Sequence, residues 1–170
     1  MNTEFQLQLP QDFHPGSRVW IYQSSRLFSP AESTEIEILL KDFVQNWKTH
    51  GTPVKGFGTL HAGMFILLMA DESEEGVSGC STDQSVRLIK EIENRYHINL
   101  FDRQSLAFII DGQLKQFPLS QLDDAIESKK IHSDTLYFNN TVLSKKELEE
   151  NWIIPLKNSW LKNKLALHII

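Results

Sequence analysis

The chain has 170 residues, 41% hydrophobic and 23% charged, which suits one globular domain with a sizeable core and argues against disorder. A formal net charge of −5, with no run of Lys and Arg to offset it, gives no basic footprint for nucleic acid. A single cysteine, Cys80, excludes an internal disulfide, and the longest apolar run, Met64 to Ala70, is far shorter than the roughly 20 residues of a membrane span.

The first stretch, MNTEFQLQLPQDFHPGSR, lacks the basic start and apolar centre of a signal peptide, so a cytoplasmic protein without membrane insertion is expected. Residues 1–17 read as an irregular arm. Val19 to Gln23 (VWIYQ) is β-branched and aromatic, which predicts a strand. In SPAE, Ser29 can cap a helix, Pro30 suits its first position and Glu32 completes a capping box. Ile36, Leu39, Leu40, Phe43, Val44 and Trp47 then recur on one helical face until His50, Gly51 and Pro53 end it.

Val54 to His61 (VKGFGTLH) carries two glycines and reads as an edge or bulged strand. Ala62-Gly63 is a tight turn, and MFILLMA is a strand buried on both faces. A second helix is predicted from about Ser81, with Val86, Ile89, Ile92 and Tyr96 as its apolar stripe. Ser105 to Ile110 (SLAFII) is a strand, Asp111-Gly112 a hairpin signal, and KQFPL a returning edge strand.

This β-α-β-β-α-β order predicts an α+β, ferredoxin-like split unit over residues 18–118, within a single domain. Residues 119–170 read as a mostly helical extension. Ser120 can cap a short helix, TLYF is strand-like, and SKKE at Ser144 to Glu147 is a second capping box. Leu148, Trp152, Leu156 and Trp160 fall at every fourth position, with Pro155 set to start or kink a helix.

GVSGCSTDQSVR, Gly76 to Arg87, holds the only thiol in a loop of small polar residues before a helix. Ser81-Thr82-Asp83-Gln84 fits a capping box, which places Cys80 just outside the helix N-terminus. Unpaired amides and the helix dipole there favour negative charge, either a thiolate or a bound phosphate or carboxylate. The candidate ligand-binding residues are Ser78, Gly79, Ser81, Thr82 and Asp83. The candidate catalytic residues are Cys80 as nucleophile or redox group, with Asp71 and His50 to handle protons. The competing reading is that Ser, Thr and Asp serve only as good helix-start residues. Asp83, Arg87, Glu91 and Arg95 step by four with alternating sign, as on a solvated helix face.

Other chemistries find no pattern. A thiol-phosphatase loop needs an arginine one residue closer to Cys80 than Arg87. GTPVKGFG has Phe57-Gly58 where a P-loop needs Lys and Ser or Thr. The histidines are scattered, so no metal site is predicted, and no motif names a cofactor.

The segments LMADES, GVSGCSTDQSVRLIKEIE, INLFDRQSLAF and LYFNNTVLSKKELEENWIIPLKNSW resemble an uncharacterised family of small Bacteroidetes proteins. The resemblance runs from VWIYQSSR to the last helix. Members often carry the label "ABC transporter ATPase", but this chain has neither a Walker A loop nor an LSGGQ-type signature, so the resemblance implies a family and no chemistry. The sequence therefore leaves two functional expectations. One is a protein or enzyme that binds a small anionic ligand at Asp71 to Asp83. The other is a non-catalytic interaction module, such as a homodimer through Trp152, Trp160 and the LALHII ending.

Overall fold

A computed structural model describes residues 7–73 and 76–166. The chain is mixed α+β, with antiparallel sheets and several helices. It divides into two compact units. One runs to Asp102 and takes in Leu143–Leu148; the other comprises Arg103–Val142 and the chain from Glu149.

The first unit is built on a sheet of strands β1 (Arg18–Gln23), β4 (Lys55–His61) and β5 (Phe65–Asp71), in the order β1-β5-β4. β5 is central and buried at every position, which is why its apolar run shows no alternation. β4 lies at the edge and joins β5 through a turn with Ala62 and Gly63 at positive φ, closed by the Met64 amide on the His61 carbonyl at 3.1 Å. Helix α1 (Pro30–Asn46) starts with the expected box: Ser29 accepts the Glu32 amide at 3.3 Å, and Glu32 accepts the Ser29 amide at 2.8 Å. Arg26 then clasps the Glu32 carboxylate through both guanidinium nitrogens at 2.8 Å.

α1 lies close on β4 because β4 presents glycine to it. A Cβ on Gly56 would stand 2.8 Å from the Trp47 ring, and one on Gly58 would meet Leu68 and Val44 at 3.1 and 3.3 Å. Ile36 and Leu40 of α1 join Tyr22, Ile66, Leu68 and Ile89 in one core. Ile89 belongs to helix α2 (Gly79–Tyr96). The chain between α1 and β4 does not simply end the helix. Strands β2 (Lys48–Thr49) and β3 (Thr52–Pro53) pair in a miniature hairpin, with His50 and Gly51 at φ 47 and 88.

In a ferredoxin-like unit the fourth strand would lie beside the first. The strand expected there, β6 (Ser105–Ile110), belongs instead to the second unit. Both of its edges are taken: one by β7 (Gln113–Pro118), through the Asp111-Gly112 turn, and the other by β8 (Leu136–Phe138). The outer edge of β1 is met at its start by Leu143 and Ser144, with the Val19 amide 3.0 Å from the Leu143 carbonyl.

The second unit combines short helices with a four-stranded sheet in the order β7-β6-β8-β9, where β9 is Ile153–Pro155. The helices are α3 (Leu122–Glu127), the end of α4 (Lys145–Asn151) and α5 (Lys162–Ala166). The every-fourth spacing from Leu148 to Trp160 does not build one helix. α4 stops at Asn151, β-branched Ile153 and Ile154 extend, and Pro155 sits opposite Leu136 on an edge strand, where its missing N–H costs nothing. Phe108, Leu122, Ile131, Tyr137 and Leu156 form this unit's core. Trp152 is buried and donates to Asn140 at 3.0 Å, whereas Trp160 is 53% exposed. Residues 167–170 of the LALHII ending lie outside the described residues, as do Glu74 and Glu75 of the candidate loop.

Candidate functional site at the start of α2

The helix that carries Cys80 begins earlier than its sequence pattern suggests. Ser78, extended at φ −73 and ψ 167, is the cap, and its hydroxyl accepts the Ser81 amide at 3.3 Å. Ser81 is not the cap. It is fully buried; its hydroxyl lies 2.9 Å from that of Ser78 and donates to the Lys48 carbonyl at 3.0 Å. Gln84, expected to reach back and close a box, donates to the Lys48 carbonyl at 3.4 Å instead. Cys80 therefore lies inside the first turn, exposed, rather than just before it.

The β2-β3 hairpin organises this loop, and that role was invisible in the sequence. Thr49, buried, accepts the Ser78 amide at 3.2 Å and donates to the Gly76 carbonyl at 3.5 Å. Trp47 donates its indole N–H to the Ser81 carbonyl at 2.9 Å. Glu72 accepts the Val77 amide at 2.8 Å. Thr49 turns its side chain toward the loop, while its neighbours Lys48 and His50 are exposed. His50 thus sits at the hairpin tip, and Thr49 is the hairpin side chain that touches the loop.

Asp71 is brought together with Lys55, at 3.0 Å. It also accepts the His14 amide at 3.2 Å and the Ser73 amide at 3.1 Å. Burial pushes this carboxyl up, but the bonds from Ser73, Lys55 and His14 outweigh it and hold it well below the usual carboxylate range. Lys55 also donates to the Asp12 carbonyl at 2.6 Å and lies 4.9 Å from the Phe13 ring centre. An ionised carboxylate with this many donors pins the segment 12–14 to the end of β5.

Among the ligand candidates, Thr82 turns its hydroxyl back to the Ser78 carbonyl at 3.2 Å, and Asp83 stands in the next turn, exposed. Ser78, Ser81 and Thr82 are thus committed to the helix start itself. The amides of Gly79 and Cys80 remain without an acceptor among the described residues, as the first amides of any helix must unless something meets them. Space is open there: a Cβ on Gly76 or Gly79 would meet nothing within 4 Å. Of the charged stripe on α2, Glu91 and Arg95 pair at 2.9 Å. Among the described residues no helix is long and apolar enough to cross a membrane, and no group of three His, Cys, Asp or Glu side chains converges as metal ligands would.

Compared with protein-family models, with curated proteins and with solved structures, the chain matches none.

Proposed function

We propose that the protein binds a small anionic ligand at the first turn of α2, with Cys80 as a reactive group beside it. The observation that carries this reading is the pair of open amides at Gly79 and Cys80, at the head of an 18-residue helix and next to an exposed thiol. Two adjacent N–H groups at the positive end of a helix dipole suit one carboxylate, sulfate or phosphate oxygen pair. The Ser78, Thr49 and Trp47 bonds fix the turn beforehand, so an anion would meet donors that need no rearrangement.

Sulfate and phosphate titrations followed by amide NMR test this reading. Saturable shifts centred on Gly79 and Cys80 are expected. Shifts that never saturate, or that spread evenly over the surface, would sink it.

The exposure of Trp160 favours a second reading, a contact surface for self-association. Sedimentation across a range of concentrations would then show a dimer that Trp160→Ala disperses; a monomer throughout removes this reading. In either case the proposal is of a cytoplasmic protein that does not act on nucleic acid. Membership of the small Bacteroidetes family is part of the same proposal and supports neither reading over the other.

A further inference from the structure

The second unit carries a cavity of about 360 Å³, well away in sequence from the start of α2. One wall is the loop after α3, with Lys129, Lys130 and His132. Asp111 in the β6-β7 turn also lines it, as do the apolar Ile109 and Leu136, which are paired in register. Lys129 and Lys130 have no carboxylate partner among the described residues, in a chain whose net charge is −5. Asp134 also lines the cavity, but its charge is already met: Lys157 lies 2.6 Å away and the Ser133 hydroxyl donates at 3.2 Å. His132 accepts the Asp134 amide on Nδ1 at 3.3 Å, which leaves Nε2 as the protonated, donating nitrogen of the neutral ring.

The loop is held by backbone hydrogen bonds although Lys129, Lys130 and His132 are exposed. Lys129, Lys130 and Ile131 donate their amides to the Ile126 and Ala125 carbonyls at 2.9 to 3.1 Å. The His132 amide donates to Thr135 Oγ1 at 3.0 Å, and the Thr135 amide returns to the His132 carbonyl at 3.0 Å. The Leu156 and Lys157 amides tie the far side to Thr135 and Ser133. Lys129 itself has φ +58, a left-handed position that glycine fills without strain. It closes α3, with the Lys129 and Lys130 amides turned back onto the last helical turn.

We propose that this cavity binds a small phosphate monoester. The two ammonium groups and His132 Nε2–H would receive the phosphate, and the apolar Ile109-Leu136 pair would receive the organic part. The volume lies at the small end of small-molecule pockets, which suits a ligand of about that bulk.

The test is an amide NMR titration of the full chain with phenyl phosphate and, separately, with inorganic phosphate. Saturable shifts are expected at Asp111, Gly112 and the 129–134 loop, and a Lys129→Ala/Lys130→Ala double variant should weaken binding at least tenfold. Lys129→Gly separates binding from folding: it should melt no lower than the parent chain and still bind more weakly. Tighter binding of phenyl phosphate than of inorganic phosphate assigns a monoester; equal affinities assign free phosphate to the same site. No saturable shift in this loop, shifts confined to Gly79 and Cys80, or full affinity in the folded double variant would overturn the proposal.

Discussion

Single side chains decide how the candidate site is built, and several act differently from what their type suggests. Asp71, Lys55 and the His14 and Ser73 amides form one anchor, so Asp71→Ala should cost about 1–3 kcal/mol by urea unfolding, from the donors left without an acceptor. The cap is the second case. Ser78→Ala should lower stability by about 1 kcal/mol, the ordinary worth of a helix cap. Thr49→Val keeps the shape but strands the Ser78 amide, and a loss of about 1–2 kcal/mol is expected. If Thr49→Val were neutral, the hairpin would not be what holds the loop. Sequence reading placed the cap at Ser81 with Cys80 just before it, whereas Ser78 is the cap and Cys80 and Ser81 lie in the first turn. It could not separate the cap from its neighbour, because Ser78 and Ser81 are both good cap types, and burial of the Ser81 hydroxyl against Lys48 is a tertiary fact.

Elements were legible where local signals agreed. α1 shows its capping box and stripe, β5 its unbroken apolar run, and the Ala62-Gly63 and Asp111-Gly112 turns their positive φ. They failed where a period was accidental. The spacing from Leu148 to Trp160 reads as helix, yet Pro155 and the β-branched pair before it select an edge strand. The glycines of β4 marked an edge, but their cause lies in what packs on them. Gly56→Ala drives a Cβ against the Trp47 ring and should cost about 1–3 kcal/mol. Gly76→Ala, which meets nothing, should stay within about 0.5 kcal/mol. Equal effects of the two substitutions would contradict the close seating of α1 on β4.

Over the whole molecule, the α+β class followed from the alternation of elements, and the hairpin pairings followed from their turn signals. β6 carries a local mark for β7 in Asp111-Gly112, but none that β8 will fill its other edge. Linked ionisations give the chain a stability profile with two shoulders. Hydrogen bonds hold Asp71 low against its burial, the Arg26 clasp brings Glu32 to about 2, and Lys157 lowers Asp134. Groups depressed in the folded state contribute fully above their unfolded values near pH 4, and that contribution is lost as pH falls through the folded ones. Burial raises Tyr96 and Tyr137, and Asp71 raises Lys55. Those contributions are complete below about pH 10 and fade above it. Thermal melts should therefore show a plateau between about pH 4 and pH 10 with a fall on each side; a maximum near pH 3 would contradict the anchor. The most direct test of the central claim, an anion-receiving turn beside the thiol, uses the single cysteine as its own reporter. The measurement is the ratio of Cys80 alkylation rates with anionic iodoacetate and neutral iodoacetamide, in the folded and the urea-unfolded chain. The account predicts a higher ratio in the folded chain, brought down by added sulfate. The same ratio in both states, unmoved by sulfate, would contradict it.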